Sequence, residues 1–368
     1  MADEYTVAVI GRTGRGNYGH GLDTAWNDFP NVKIIAVADD NKSGLAAKAE
    51  QLRVSKSYTD YRKMLDETKP DIVAICPRWV DQHSDMAVAA AQRGIHVYME
   101  KPFCRTPAEA DEIIAACERS HVKLAIAHPT RYSPKLQTVK QLIASGAIGN
   151  LLEFRARGKE DRRGGGEDLW VLGTHVLDMI QSIAGKPQWC QATVTFQGKP
   201  ISKANTFAGP EGLGLLGGDA VQATFGLKNG TVAYFNSVKN MRGNPSRYGL
   251  QIFGSTGILE LLEGTMPSVK YLGDSSWSPG RSGKHWQDVS TAGIGKPEPM
   301  TDKLIRNRHY LAIKDFLSAI KDDRQPVGNP YAGRDVVEMI AAVFESQRVG
   351  APVEFPLKHR GNPLERLG

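Results

Sequence analysis

The first third of the chain alternates two kinds of segment, and that alternation restricts the fold more than any other feature. Thr6 to Ile10, Val32 to Ala38, Ile72 to Cys76, Val97 to Met99 and Lys123 to Ala127 are short apolar runs. Such runs suit strands of a parallel sheet covered on both faces. Helical patterns lie between them at Gly19 to Phe29, Ser43 to Gln51, Thr59 to Leu65, Ser84 to Arg93 and Thr106 to Arg119. Strand, helix and strand in this rhythm close by right-handed crossovers, so the expected fold is an α/β, Rossmann-type doubly wound parallel sheet. Sheets of this kind bind ligands outside the carboxyl ends of their strands.

The loop after the first strand fits that placement. Gly14-Arg15-Gly16-Asn17-Tyr18-Gly19 reads G-x-G-x-x-G, and it stands between a strand ending near Ile10 and a helix expected to begin near Gly19. Glycine tolerates positive φ and lets a pyrophosphate approach the backbone, while the N–H groups of a helix start meet the anion. Gly11-Arg12-Thr13 lengthens the loop, so either Gly11 or Gly14 serves as the turn glycine, with Arg12, Thr13 and Arg15 in reach of phosphate. The second strand ends in Ala38-Asp39-Asp40, and Asp39 lies twenty residues after Gly19. An acidic side chain there accepts hydrogen bonds from a ribose diol and repels a 2′-phosphate, which favours NAD.

With 368 residues the chain exceeds what one core supports, so two domains are expected, and 41% hydrophobic with 23% charged residues marks a globular protein. The start, Met1-Ala2-Asp3-Glu4, is acidic, and no apolar stretch approaches bilayer length. The four cysteines lack C-x-x-C spacing and read as reduced thiols, so the expected location is cytoplasmic. Cys76 and Cys104 are expected to pack rather than react. A formal charge of +6 spread among acidic residues points to an anionic small molecule rather than to nucleic acid or membrane. Histidines and carboxylates show no metal-binding spacing, so no metal is expected.

Further motifs carry a resemblance. "ICPRWVDQH" (Ile75 to His83) ends a strand and opens a helix, and "HVYMEKPFCRTPAEAD" (His96 to Asp111) contains Glu100-Lys101-Pro102. "RYSPKLQTVKQLIASGAIG" (Arg131 to Gly149) and the closing His309 to Phe355 stretch follow in order. Taken with the glycine loop and the acidic end of strand two, the sequence resembles the Gfo/Idh/MocA family of NAD(P)-dependent sugar and cyclitol oxidoreductases over nearly its whole length. The resemblance implies an NAD-binding domain at 1–128. It also implies an α+β domain at 129–368, with a large open, mostly antiparallel sheet and C-terminal helices that pack back on the first domain. Strand-like runs at Leu151 to Arg157, Cys190 to Phe196, Ala220 to Phe225, Thr231 to Ser237, Tyr248 to Phe253 and Ile258 to Leu262 agree with that sheet. One face of such a sheet needs cover, and the family implies a homo-oligomer, a dimer or tetramer.

The resemblance places chemistry where the two domains meet. Lys101 matches the family's active-site lysine, with Glu100 setting its surroundings; a lysine near a nicotinamide polarises a carbinol oxygen or relays its proton. Pro77, Arg78 and His83 are expected to flank the cofactor. In "GGGEDLWVLGTHVLDMIQSIAG" (Gly164 to Gly185), His175 matches the family's acid/base histidine. Asp178, one turn on, either orients that ring or bonds elsewhere. Arg131 and Tyr132 are expected to line the substrate side. Arg162 and Arg163 are placed to grip an anionic substituent or to pair with Glu160 and Asp161, and Trp170 to stack on a sugar ring or to pack.

The sequence departs from the family at one telling position. Most oxidoreductases of the family carry an aspartate one turn before the histidine, and this chain has Val171 there, which can neither take a proton nor hold an imidazole. Asp168 or Glu167 is expected to substitute. The default is an NAD-dependent oxidoreductase acting on a pyranose, with hydride leaving a sugar carbon such as C3. The family's NAD-dependent glycosidases similarly lack the aspartate, which makes a redox-neutral glycosidase the alternative. The Gly/Ser/Pro-rich segment Met266 to Val289 reads as a lid or a subunit arm.

Overall fold

The structure is a computed structural model that describes residues 4–368, so most of the acidic start lies outside the described residues. Among them the chain divides into two compact units. The first runs to Ala127 and includes Pro210–Gly214 and Asn307–Val337; the second holds the rest.

In the first unit, β1 (Tyr5–Ile10), β2 (Val32–Ala38), β3 (Lys56–Tyr58), β4 (Ile72–Ile75), β5 (His96–Met99) and β6 (Leu124–Ile126) form one sheet. Its order is β3-β2-β1-β4-β5-β6 and every pairing is parallel. The order reverses between β1 and β4, so the loops after these strands flank the switch point where open α/β sheets take ligands. Val7 to Ile10 and Ile72 to Ile75 are wholly buried, because crossovers cover both faces. The crossover helices are α1 (Lys42–Leu52), α2 (Tyr61–Thr68), α3 (His83–Ala91) and α4 (Pro107–Arg119). Side chains of Asn41, Asp60 and Thr106 cap α1, α2 and α4.

The expected helix from Gly19 to Phe29 does not form. The chain turns through this region and makes only a short 3-10 segment at Ala25–Asp28. Gly19 and Gly21 adopt φ of +66° and +87°, a left-handed backbone that cannot continue a right-handed helix, while Leu22 and Trp26 anchor the turns in the core. β3 was hidden in the sequence because Lys-Ser-Tyr is a three-residue edge strand without an apolar run.

The second unit begins with α5 (Pro134–Ala144), β7 (Leu151–Arg157), α6 (Gly166–Val171) and α7 (Gly173–Ala184). There follow β8 (Trp189–Phe196), β9 (Lys199–Pro200), the pair β10 (Thr206–Gly209) and β11 (Gly214–Gly217), β12 (Ala220–Gly226), β13 (Val232–Val238), β14 (Gly249–Gly254) and β15 (Gly257–Leu261). β16 (Val269–Leu272), α8 (Pro279–Ser282), β17 (Gln287–Ser290), β18 (Gly293–Ile294) and β19 (Val353–Glu354) complete it. The large sheet has eleven strands, ordered β18-β17-β16-β15-β14-β7-β13-β12-β8-β19 with β9 on β8. β7 and β13 pair in parallel, and the other neighbours are antiparallel.

Period-two alternation sorts this sheet's faces. Phe154, Ala156, Ala233, Phe235, Leu250 and Ile252 are buried on one. The opposite face is polar: Arg155 stands in register with Tyr234 on one side and Gln251 on the other. A cavity of about 610 Å³ opens there between Arg155, Tyr234, Arg247 and Glu260. The expected lid or arm at Met266 to Val289 proves to be part of the sheet, since β16 and β17 extend it. Between them Asp274 gathers the segment by accepting from Ser276, Ser278 and Ser282. The last helices are α9 (Tyr310–Lys321), counted with the first unit, and α10 (Pro330–Val349).

Candidate active site

At the carboxyl end of β1 the glycine loop folds around Asp39. One or both oxygens of this buried carboxylate accept from the Thr13 N–H at 3.0 and 3.1 Å, the Thr13 hydroxyl at 2.7 Å, the Tyr18 hydroxyl at 2.8 Å and the Asn41 N–H at 2.9 Å. Burial, together with the hydrogen bond to Asp39, pushes the Tyr18 phenol above its ordinary range. The Tyr18 ring lies against Gly11, where a Cβ would fall 2.1 Å from it. Asp39, expected on a ribose, is therefore engaged in organising the loop. The exposed carboxylate at this strand end is Asp40, 3.7 Å from Nε of buried Arg12. Arg12 also sends Nη1 to both oxygens of Asp81, at 3.1 Å each, so it too is held within the unit.

The rest of the loop tests whether a dinucleotide fits. Gly14 has φ of +85° with no atom within 4 Å of a built Cβ, and Arg15 beside it is exposed. Gly16 serves close packing instead: a Cβ there would lie 2.3 Å from the Arg78 nitrogen at the end of β4. Arg12 Nε is buried without a hydrogen-bond partner. Open glycine backbone, a buried cation and an exposed acid at adjoining strand ends are a fitting set for pyrophosphate and ribose. Because no helix starts at Gly19, the loop offers an anion backbone amides and arginines rather than a helix terminus.

The Glu100-Lys101-Pro102 motif directly follows β5. Glu100 is fully buried and accepts from the His20 N–H at 3.0 Å, and its oxygen lies 2.9 Å from His20 Nδ1. Burial opposes its charge, yet the His20 hydrogen bond and the charges of His20, Lys101 and His309 bring its carboxyl down to about 2. Lys101 itself is only 6% exposed, an unusual burial for a lysine. His83, expected to cap its helix or to contact the cofactor, has its buried ring between the Pro77 carbonyl at 2.7 Å and the Pro102 carbonyl at 2.8 Å. It clasps the β4 end to the segment carrying Lys101. Arg78 is half-buried, and burial pushes the Cys76 and Cys104 thiols well up.

In the second unit the helical stretch expected across Gly164 to Gly185 breaks at Leu172 into α6 and α7. Asp168 was offered as a partner for His175 on a shared face. Its Oδ2 instead accepts from the Ser237 hydroxyl at 2.5 Å and the Glu160 N–H at 3.0 Å, and burial raises its pKa. Trp170, at 5% exposure, packs inside. Arg163 is paired with Asp161 at 2.6 Å, while Arg162 is exposed.

His175, 3% exposed on α7, has its Nδ1 3.7 Å from Oε1 of Glu263, in the turn after β15. Its ring meets that of His128 edge to face, with centroids 5.5 Å apart. His128 Nε2 lies 3.1 Å from the Thr174 hydroxyl and its Nδ1 3.5 Å from Asp178. Asp178, the other candidate to orient His175, is paired with Arg131. It receives Arg131 Nε at 2.8 and 3.0 Å, and Arg131 also reaches Gln181 at 2.6 Å. Arg131, expected on substrate, is thus locked in a buried ion pair; Tyr132 next to it is half-buried. Sequence reasoning missed His128 and Glu263. Both follow a strand end, the same signal that singled out Lys101. Among the described residues, no three His, Cys, Asp or Glu side chains cluster as metal ligands, and no helix is long and apolar enough to cross a membrane.

Comparison with known proteins agrees with both units. Residues 5–128 match the model of an oxidoreductase family with an NAD-binding Rossmann fold, and residues 140–355 match that family's C-terminal α/β domain. D-glucoside 3-dehydrogenase of Escherichia coli is 23% identical over 88% of this chain and 90% of its own. D-apiose dehydrogenase of Paraburkholderia graminis is 33% identical over 44% of this chain, which spans only 45% of that relative. The solved structure of levoglucosan dehydrogenase with NADH and levoglucosan shares the fold, with a TM-score of 0.75 at 21% identity over 96% of this chain and all of that one. A parallel sheet with a glycine loop, a buried lysine after β5 and a histidine on the helix beneath a large open sheet are joined in one lineage, and the chain belongs to the Gfo/Idh/MocA family of NAD-dependent oxidoreductases.

Proposed function

We propose that the protein is an NAD-dependent dehydrogenase that oxidises a secondary hydroxyl of a pyranose sugar or glycoside, with C3 the favoured carbon. The observation that carries this reading is Lys101, a buried lysine directly after a strand of the NAD-binding sheet, set by Glu100 and the His83 clasp. Gly14, Arg15 and Arg12 would meet the pyrophosphate, and Asp40 the ribose diol. The nicotinamide, when bound, supplies the acceptor for hydride. Lys101 polarises the carbinol oxygen, and His175 takes the hydroxyl proton as the carbonyl forms. The named activities of the relatives, on D-glucosides, levoglucosan and D-apiose, support a sugar as substrate class. A second copy of the chain is the proposed cover for the polar face of the large sheet.

Val171 favours a second reading, a glycosidase. There the sugar would lose hydride from C3, the ketone would acidify the C2 proton, the aglycone would leave by elimination, and water and hydride would return. The test incubates the protein with NAD⁺ and methyl β-D-glucopyranoside, levoglucosan, D-apiose and myo-inositol in turn. Stoichiometric NADH and ketosugar support the dehydrogenase, whereas aglycone release over many turnovers per NAD⁺ supports the glycosidase. No turnover and no NAD⁺ binding overturn both.

A further inference from the structure

We infer that Glu263 supplies the carboxylate partner of His175 that this chain lacks at Val171. The inference rests on the reading of His175 as the acid/base. Three positions on α6 and α7 either lack a carboxylate or have theirs engaged elsewhere. Val171 is apolar and buried; Asp168 is held by Ser237 and the Glu160 amide; Asp178 is matched by Arg131. Glu263 places Oε1 3.7 Å from His175 Nδ1, with its side chain only 16% exposed. The turn that carries it is fixed, because the Gly264 N–H donates to the Thr130 hydroxyl at 2.8 Å.

Glu263, from the turn after β15, and His128, from the segment before α5, both face the ring, and His128 in turn meets Thr174 and Asp178 of the His175 helix. Arg131 offsets the Asp178 charge, whereas the Glu263 carboxylate stands 3.7 Å from the ring. At 3.7 Å the contact is longer than a hydrogen bond, a gap closed by a small carboxylate rotation, and such contacts tighten when substrate binds. Glu263 then holds the proton on Nδ1, which leaves the Nε2 lone pair for substrate. With NAD⁺ bound to accept the carbon's hydride, the sugar O–H would break and its proton would move to Nε2, and Glu263 would stabilise the resulting imidazolium. The carboxylate has changed its place in the sequence, from the helix to a strand end, while keeping its role as a positioning residue.

The test combines [¹⁵N]histidine NMR of the ligand-free protein with kinetics on NAD⁺ and methyl β-D-glucopyranoside. Signals of His175 are assigned by their loss in His175→Asn. In the wild type the ring should be the Nδ1–H tautomer, and in Glu263→Gln that preference should be lost. The kcat of Glu263→Gln should fall about tenfold or more with little change in KM. The acid limb of its pH profile should move down by roughly one pH unit. Adding Val171→Asp to Glu263→Gln should restore rate and limb, and Glu263→Asp serves should Glu263→Gln fail to fold. An unchanged tautomer and an unmoved acid limb in the Glu263 variants overturn the inference alone. A His175→Asn protein with wild-type kcat overturns the acid/base reading, and the inference with it.

Discussion

The Tyr18 hydroxyl donates to Asp39 at 2.8 Å, and this single bond ties the glycine loop to the end of the second strand. The carboxylate that a family resemblance sends to the cofactor is thereby a structural hub. Replacing Tyr18 by Phe removes one of its donors while Thr13 and Asn41 remain. The loss should be about 1–3 kcal/mol, the range for a bond to a buried charge, read as a lower midpoint in urea unfolding. Asp39→Ala should cost more than Tyr18→Phe, since several donors lose their acceptor together.

Asp40 offers the complementary result. Its side chain is 61% exposed, so Asp40→Ser should leave the unfolding midpoint within about 0.5 kcal/mol of the wild type. The same variant should bind NADP⁺ relatively better than the wild type does, because a negative charge beside the ribose position is gone. Isothermal titration with both dinucleotides reads the ratio; an unchanged ratio would return the discriminating role to Asp39.

Arg131 and Asp178 separate positioning from recognition. Their ion pair is buried, at 7% and 2% side-chain exposure, so Asp178→Ala strands a guanidinium in the core. The expected cost is about 3–5 kcal/mol. If Asp178 instead served substrate alone, KM would rise while the unfolding midpoint stayed fixed.

Acid should weaken the first unit in two stages. Burial lowers the pKa of His309 from 6.5, so the folded state favours its neutral form; that contribution is present above pH 6.5 and is lost as pH falls through the lowered value. Glu100, brought from 4.5 to about 2, contributes above pH 4.5 and loses its part as pH falls toward about 2. Denaturant unfolding followed across pH should show both losses, and Glu100→Gln should abolish the lower one.

Much of this architecture was legible in the chain because periodicity is a local signal. β2 and β7 span the runs read from sequence, and other strand ends moved by a residue or two. The failures share a cause: tertiary contacts decide them. Gly19 to Phe29 has an apolar pattern suited to a helix, yet left-handed glycines and the Tyr18–Asp39 bond impose turns. Gly164 to Gly185 reads as continuous, and the break at Leu172 removes Asp168 from the His175 face. Glu263 lies far from His175 in sequence, so no spacing rule joins them; only the packing of α7 on the sheet, against β7 and β14, does. His83 and Arg131 carry the chemistry of ligands but are consumed by carbonyls and by Asp178.

Net hydride transfer from sugar to NAD⁺ can be read by product accounting in deuterated water. The protein is incubated with methyl β-D-glucopyranoside and limiting NAD⁺, and NADH, ketosugar, methanol and deuterium at C2 are measured together. One ketosugar should form for each NADH, turnover should stop when NAD⁺ is spent, and no methanol should appear. Methanol released over many turnovers, with deuterium at C2 and no accumulated NADH, would contradict it.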